Sequence, residues 1–186
     1  MKTMTFTSSG DFRSWLAKNH GRSDGILLRI YKKDSGVSTL TYAEALDQAL
    51  CFGWIDGQKR PYDKQSWLQK FTPRRPKSGW SKNNTRHAER LIKAGEMAPS
   101  GLKEVKAAKA DGRWKAAYDS SINAAVPDDF IKELARNKKA NAFFETLNKT
   151  NLYSIAYRLQ TAKTPETRQK RTQAIIEMLA RGEKFH

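Results

Sequence analysis

Hydrophobic residues recur at helical spacing in some stretches of this chain and alternate with polar ones in others, and the two periods divide it. Residues 5–7 are a short β-prone run. Phe12, Trp15 and Leu16 then fall on one helical face behind the capping candidates Ser8 and Ser9. Residues 25–31, GILLRIY, read as a buried strand. Thr41-Tyr42-Ala43-Glu44 has the form of a capping box, in which a Thr hydroxyl and a Glu carboxylate satisfy orphan amides of a helix start. The helix it opens carries Tyr42, Ala45, Leu46, Ala49 and Leu50 along one side and stops at Gly53. Trp54-Ile55-Asp56-Gly57 and residues 66–71 flank the turn formers Arg60-Pro61-Tyr62-Asp63, which predicts two antiparallel strands.

From about residue 81 the period becomes helical. Residues 81–84 supply a capping region for a helix containing Ala88, Leu91 and Ile92 and ending at Gly95; Ser100 precedes a helix over 102–110 that ends near Gly112. Pro127 opens a helix with Phe130, Ile131 and Leu134. Phe143, Phe144 and Leu147 form the next apolar face, and Leu152, Ile155, Ala156 and Leu159 another. Thr164-Pro165-Glu166 starts the last helix, with Pro in its first turn where a missing amide costs nothing. The fold expected is α+β: a small, mainly antiparallel sheet packed by helices, followed by a C-terminal helical bundle. The boundary falls near Ala125-Val126-Pro127, giving an α+β domain over 1–125 and a helical region over 126–186.

Composition narrows the chemistry. A length of 186 residues suffices for a full core, and 35 Lys and Arg against 19 Asp and Glu give a formal charge of +16. Such a field attracts polyanions and repels cationic peptides. Cys51 is the single cysteine, so neither an intramolecular disulfide nor a cysteine metal cage is available. His20, His87 and His186 lie far apart without ligand spacing, and no metal or cofactor is expected. The N-terminus has no apolar leader core, and no window approaches the roughly 18 apolar residues of a membrane span. These features lead to the expectation of a cytoplasmic protein without membrane insertion.

Three motif stretches are distinctive. They are Leu50-Cys51-Phe52-Gly53-Trp54-Ile55-Asp56-Gly57, the run FTPRRPKSGWSKN over 71–83, and GEMAPSG over 95–101. Together they resemble the bacterial YdeI/OmpD-associated family of bacteriocin-protection proteins. From Val126-Pro127-Asp128-Asp129 through residues 162–168 to the end, the chain is similar to the helical OmdA region of that family. The resemblance implies a link to resistance against bacteriocins and cationic antimicrobial peptides. It implies no particular reaction.

The strongest chemical signal is the basic, aromatic middle. Residues 59–90 hold ten Lys or Arg against Asp63 and Glu89, interleaved with Tyr62, Trp67, Phe71 and Trp80. Nucleic acid and nucleotides are bound this way, bases stacking on aromatic rings while phosphates pair with cations. An anionic ligand, nucleic acid or nucleotide included, would meet Lys59, Arg60, Arg74, Arg75, Lys77, Lys82 and Arg86, with Trp67 and Trp80 stacking. The same aromatics also suit a core, with the cations ringing the loop. A second reading is an enzyme of unknown reaction with a pocket at Trp54 and Asp56, in which Asp56 acts as a polar anchor or general base and Cys51 as nucleophile. A thiol needs a nearby cation or base for that role, and a lone Cys on an Ala- and Leu-rich helix is ordinarily packing. Walker loops, nucleophile elbows and dinucleotide fingerprints are absent from the sequence.

Overall fold

Four strands form one mixed sheet in the computed structural model, which describes residues 1–119 and 124–186. β1 (Lys2–Met4) runs parallel to β2 (Ile26–Tyr31). β3 (Trp54–Pro61) and β4 (Ser66–Pro73) make the antiparallel hairpin read from the sequence. β4 also pairs antiparallel with β2, so the order across the sheet is β1-β2-β4-β3. The α+β expectation holds, with two of three strand pairings antiparallel. Residues 5–7 are not the strand expected. Thr7 and the following Ser8 serve the next helix instead: both hydroxyls donate to Asp11 Oδ2, and Ser8 caps the Asp11 amide.

Two compact units divide the chain. The first comprises residues 1–80 and 84–115, the second residues 81–83 and 116–186. In the first, α1 (Ser9–Asn19) and α2 (Tyr42–Cys51) supply the core face of the sheet with side chains. Phe12 of α1 meets Phe71 of β4 at 5.9 Å between ring centroids, and Trp15 meets Trp54 edge-on at 5.8 Å. Leu16, Ile26, Leu28, Ile30, Leu46 and Leu50 complete this apolar layer. The capping box of α2 forms as read, with Thr41 and Glu44 exchanging bonds. Tyr42 departs from the expected apolar side: it is 37% exposed and only partly buried, and its hydroxyl donates to Asp56 at 2.9 Å.

Two more helices belong chiefly to this unit, α3 (Lys82–Lys93) and α4 (Pro99–Ala110). α4 begins three residues before the expected Leu102, because Pro99 fits the first helical position and lacks only an amide that would be orphaned anyway. Gly101 lets α4 approach α2 closely. A Cβ built there would sit 2.2 Å from the Cys51 carbonyl oxygen.

The second unit is helical: α5 (Asp128–Leu134), α6 (Lys138–Phe144), α7 (Lys149–Gln160) and α8 (Pro165–Ala180). Asn137, Asn148 and Thr164 cap α6, α7 and α8 by accepting from amides of their first turns. Phe130, Leu134, Ala140, Ile155, Leu159, Ile175, Ile176 and Leu179 close its core; Phe130, Leu134, Ile155 and Leu159 are among the apolar positions read from the sequence, while Ile131, read with them, is exposed. Among the described residues no helix is long and apolar enough to cross a membrane.

The Gly101 contact yields a stability test. Gly101→Ala drives a methyl into backbone and lowers the unfolding free energy by about 2–3 kcal/mol, whereas Gly21→Ala, with nothing within 4 Å, stays within about 0.5 kcal/mol of the parent. Urea titration followed by tryptophan fluorescence reads both. Equal effects would show that the close crossing of α2 and α4 is not a constraint.

Candidate functional site

Alternation along β2 and β4 gives the sheet a second face. Ile26, Leu28 and Ile30 pair in register with Phe71, Gln69 and Trp67 on the core side, leaving Leu27, Arg29 and Tyr31 opposite Lys70, Leu68 and Ser66 on the other. β3 carries one extra residue between Asp56 and Lys59, a bulge whose Gly57 carbonyl accepts from the buried Gln69 side chain at 2.8 Å. Beyond the bulge Arg60 pairs with Leu68 and so joins the outer face; Ile55, paired with Thr72, does too. All of these outer residues except Ser66 are partly or fully exposed.

Arg29 is the fixed point of this face. Its guanidinium lies over the Tyr31 ring at 4.3 Å and the Tyr62 ring at 4.7 Å. Nε donates to Ser66 Oγ, and the far end pairs with Asp63 at 2.6 Å. Ser66 in turn donates to Asp63. That bond, joined by the Gln65 amide and Arg29, holds the Asp63 carboxyl below the usual range. Tyr62 is 53% exposed. Two aromatic rings, a guanidinium between them, and Arg60 and Lys70 therefore share one surface.

The loop after β4 behaves differently from the expectation for it. Arg74 is buried, its guanidinium 3.5 Å from the centroid of the Trp80 ring, and it donates to the Gly79 carbonyl at 3.2 Å. Trp80 is 2% exposed and packs on Trp114 at 4.8 Å, while Arg113 holds the Ser78 carbonyl at 2.8 Å. Arg74 and Trp80 are thus corrected from an exposed cation and a stacking platform to a buried clamp. The physical reason is that the indole ring covers the guanidinium and the two pack together out of reach of solvent. Arg75 and Lys77 stay exposed, Lys77 at a left-handed φ of 61°.

The remaining candidate cations scatter. Lys59 is exposed, and its ammonium sits 4.5 Å from the Trp67 ring centroid; Trp67 is half-buried. Arg60 also braces on Gln58 Oε1 at 2.9 Å. Lys82 belongs to the second unit and pairs there with Asp119 at 2.9 Å. Arg86 is exposed on α3.

Of the residues expected to form a pocket, Cys51 and Trp54 are buried and Asp56 is half-buried. Cys51 is fully buried on α2, and burial pushes its thiol up, against a partial pull downward from Arg13. His20 Nδ1 faces the Leu16 carbonyl at 2.9 Å. Trp54 is core, 1% exposed, and its indole N–H donates to the His20 carbonyl at 3.1 Å. Asp56 accepts from Tyr42, whose phenol is pushed up by burial and by that carboxylate. What the spacing does not reveal is a pairing across α2 and α3. His87 Nδ1 donates to Asp47 Oδ1 at 2.7 Å, and Arg90 pairs with the other carboxylate oxygen. Among the described residues no group of His, Cys, Asp and Glu is arranged to hold a metal ion.

A four-stranded sheet unit with one open basic face, joined to a helical unit, defines the class of this protein. The chain belongs to the family described as a domain of unknown function, DUF8412, whose model matches residues 4–104, more than half of its length. Residues 123–182 match the OmdA model, described as Bacteriocin-protection, YdeI or OmpD-Associated. The expected resemblance to the YdeI/OmpD-associated family is borne out over residues 123–182, and the three motif stretches at 50–57, 71–83 and 95–101 fall within the DUF8412 match. No curated protein and no solved structure matches the chain.

Two outcomes follow from these placements. Arg74→Ala lowers the unfolding free energy by about 2 kcal/mol, and Arg74→Lys fails to restore it because an ammonium cannot stack flat on the indole. In the same measurements Arg75→Ala stays near the parent. A thiol reagent leaves Cys51 unlabelled in the folded protein and labels it in denaturant. Rapid labelling under native conditions would contradict the burial assigned to Cys51.

Proposed function

We propose that this bacteriocin-protection family protein is a non-enzymatic binder of an anionic, phosphate-bearing ligand, and that single-stranded nucleic acid is the ligand the surface fits best. The observation that carries the reading is the shared outer face of β2, β3 and β4, where Tyr31, Tyr62, Arg29, Arg60 and Lys70 stand together. Bases stack on exposed rings whatever their identity, and cations beside the rings take the phosphates. Tyr62 offers the more exposed ring. Arg29, paired with Asp63, orients both rings, so Arg60 and Lys70 are the phosphate contacts. Lys59 and Lys64 at the hairpin end of β4, and Arg75 and Lys77 beyond its other end, extend the positive field along the strand direction.

Catalysis at Cys51 draws no support from a buried thiol with a raised pKa. Sheet-face binding uses part of the chain's positive charge, Arg60 and Lys70, without requiring a reaction.

The test is a fluorescence-anisotropy titration of labelled oligo-dT and oligo-U across a salt series. Affinity falls steeply with salt, and Arg60→Ala and Lys70→Ala each reduce the slope by about 0.7. Tyr62→Ala costs about 1–3 kcal/mol of binding and leaves the slope nearly unchanged. Nucleotides bind more weakly than oligomers because they meet fewer cations. Absence of binding at low salt, or full affinity in the Arg60→Ala, Lys70→Ala double variant, would remove the proposal.

A further inference from the structure

The second unit holds a groove, lined by α7, α8 and the segment after α8, with a volume of about 780 Å³. Cavities of roughly 300–1,000 Å³ take small organic ligands. We infer that this groove binds an amphiphile with an anionic head, the head on Arg158 and Arg171 and the apolar body along α8 toward Met178 and Phe185.

The charges there are arranged for an anion that the protein does not supply. Arg171 uses one nitrogen, Nη1, to hold the Arg158 carbonyl at 2.6 Å and Thr161 Oγ1 at 3.3 Å. Arg158 uses its Nη1 on the Ser154 carbonyl at 3.2 Å and lays its plane 3.7 Å from the Phe185 ring centroid. A guanidinium carries five donors, and neither of these two pairs with a carboxylate among the described residues. Glu183 is the carboxylate in the groove, and it is engaged by Arg181 at 2.9 Å. A second groove of this unit, at α5 and α8, provides the contrast: there Arg168 grips Asp129 with two nitrogens and Arg136 pairs with Glu133, so its charge is neutralised internally.

The groove also has an apolar side. Phe185 and Met178 are partly exposed and pack against the core of the unit. The His186 amide and ring hold the tail on Asn151 and Ser154 at 3.2 and 3.1 Å, which keeps Phe185 in position over Arg158. A phosphate or carboxylate alone would leave this side wet, and an uncharged alkyl chain would leave two guanidinium groups unanswered. One molecule carrying both parts satisfies both. The site lies within the second unit and does not depend on the sheet-face reading.

Calorimetry on the full chain with monomeric dodecyl phosphate tests this, with inorganic phosphate, dodecanol and phosphatidylglycerol vesicles as separate arms. Dodecyl phosphate binds at one site at least about tenfold more tightly than phosphate or dodecanol. Arg158→Gln weakens it by about tenfold or more, and Glu183→Gln, which frees Arg181, tightens it by about threefold. Ala174→Trp fills the groove from an exposed position and abolishes binding, with an unchanged thermal midpoint showing that the fold is intact. Arg60→Ala with Lys70→Ala leaves dodecyl phosphate affinity unaltered, which separates this site from the sheet face. The inference is overturned if dodecyl phosphate does not bind, if Ala174→Trp binds as the parent does, if phosphate or dodecanol binds equally well, or if only vesicles bind.

Discussion

β4 lies between β2 and β3, and the two-residue period of that strand is the constraint on which the first unit depends. Phe71, Gln69 and Trp67 point to the side closed by α1 and α2. The alternate residues Lys70 and Leu68 then have no choice but the other side. A slip of one residue would put Lys70 against Phe12 and turn Phe71 to water, exchanging every residue between the faces. The bulge in β3 adjusts this register locally. Before it Asp56 is level with Phe71, and after it Arg60 is level with Leu68, so the hairpin brings a cation to the outer face. Gln69 keeps the bulge from leaving a bare carbonyl inside.

This constraint sorts the positive charge. Residues 59–90 look uniformly basic, yet their side chains do three different things. Arg74 is consumed in structure, its guanidinium covered by Trp80 and the loop carbonyl. Arg90 and Lys82 are answered by Asp47 and Asp119. Arg60 and Lys70 share the open face with two tyrosines. Charge that has been answered by a carboxylate contributes little to a ligand. The field that remains is smaller than the formal total and better directed.

Local signals were legible in the sequence. The Thr41–Glu44 capping box, the Thr164-Pro165 start and the hairpin around residues 60–63 each lie within a few positions and form as read. The helical nature of 126–186 was equally plain, because its apolar spacing is long and regular. What escaped was long-range or directional. Residues 25–31 read as a buried strand, since five of seven are Ile, Leu or Tyr, and only pairing with β4 shows that Arg29 and Tyr31 turn away from the core. Asp47 and His87 are forty residues apart, and nothing local announces their contact. Trp80 had the composition of a stacking site, but its partner Arg74 lies six residues upstream in an irregular loop whose path no periodicity encodes. Burial, rather than residue type, decided its role.

The outer sheet face as a binding surface is the central claim, and methyl NMR tests it most directly because leucine and isoleucine lie on both sides of the same strands. On titration with oligo-dT, the methyl signals of Leu27, Leu68 and Ile55 shift progressively, while those of Ile26, Leu28 and Ile30, one position away on the core side, stay in place. Shifts confined to the second unit or to the loop over 74–79, with Leu27 and Leu68 unmoved, would contradict the account.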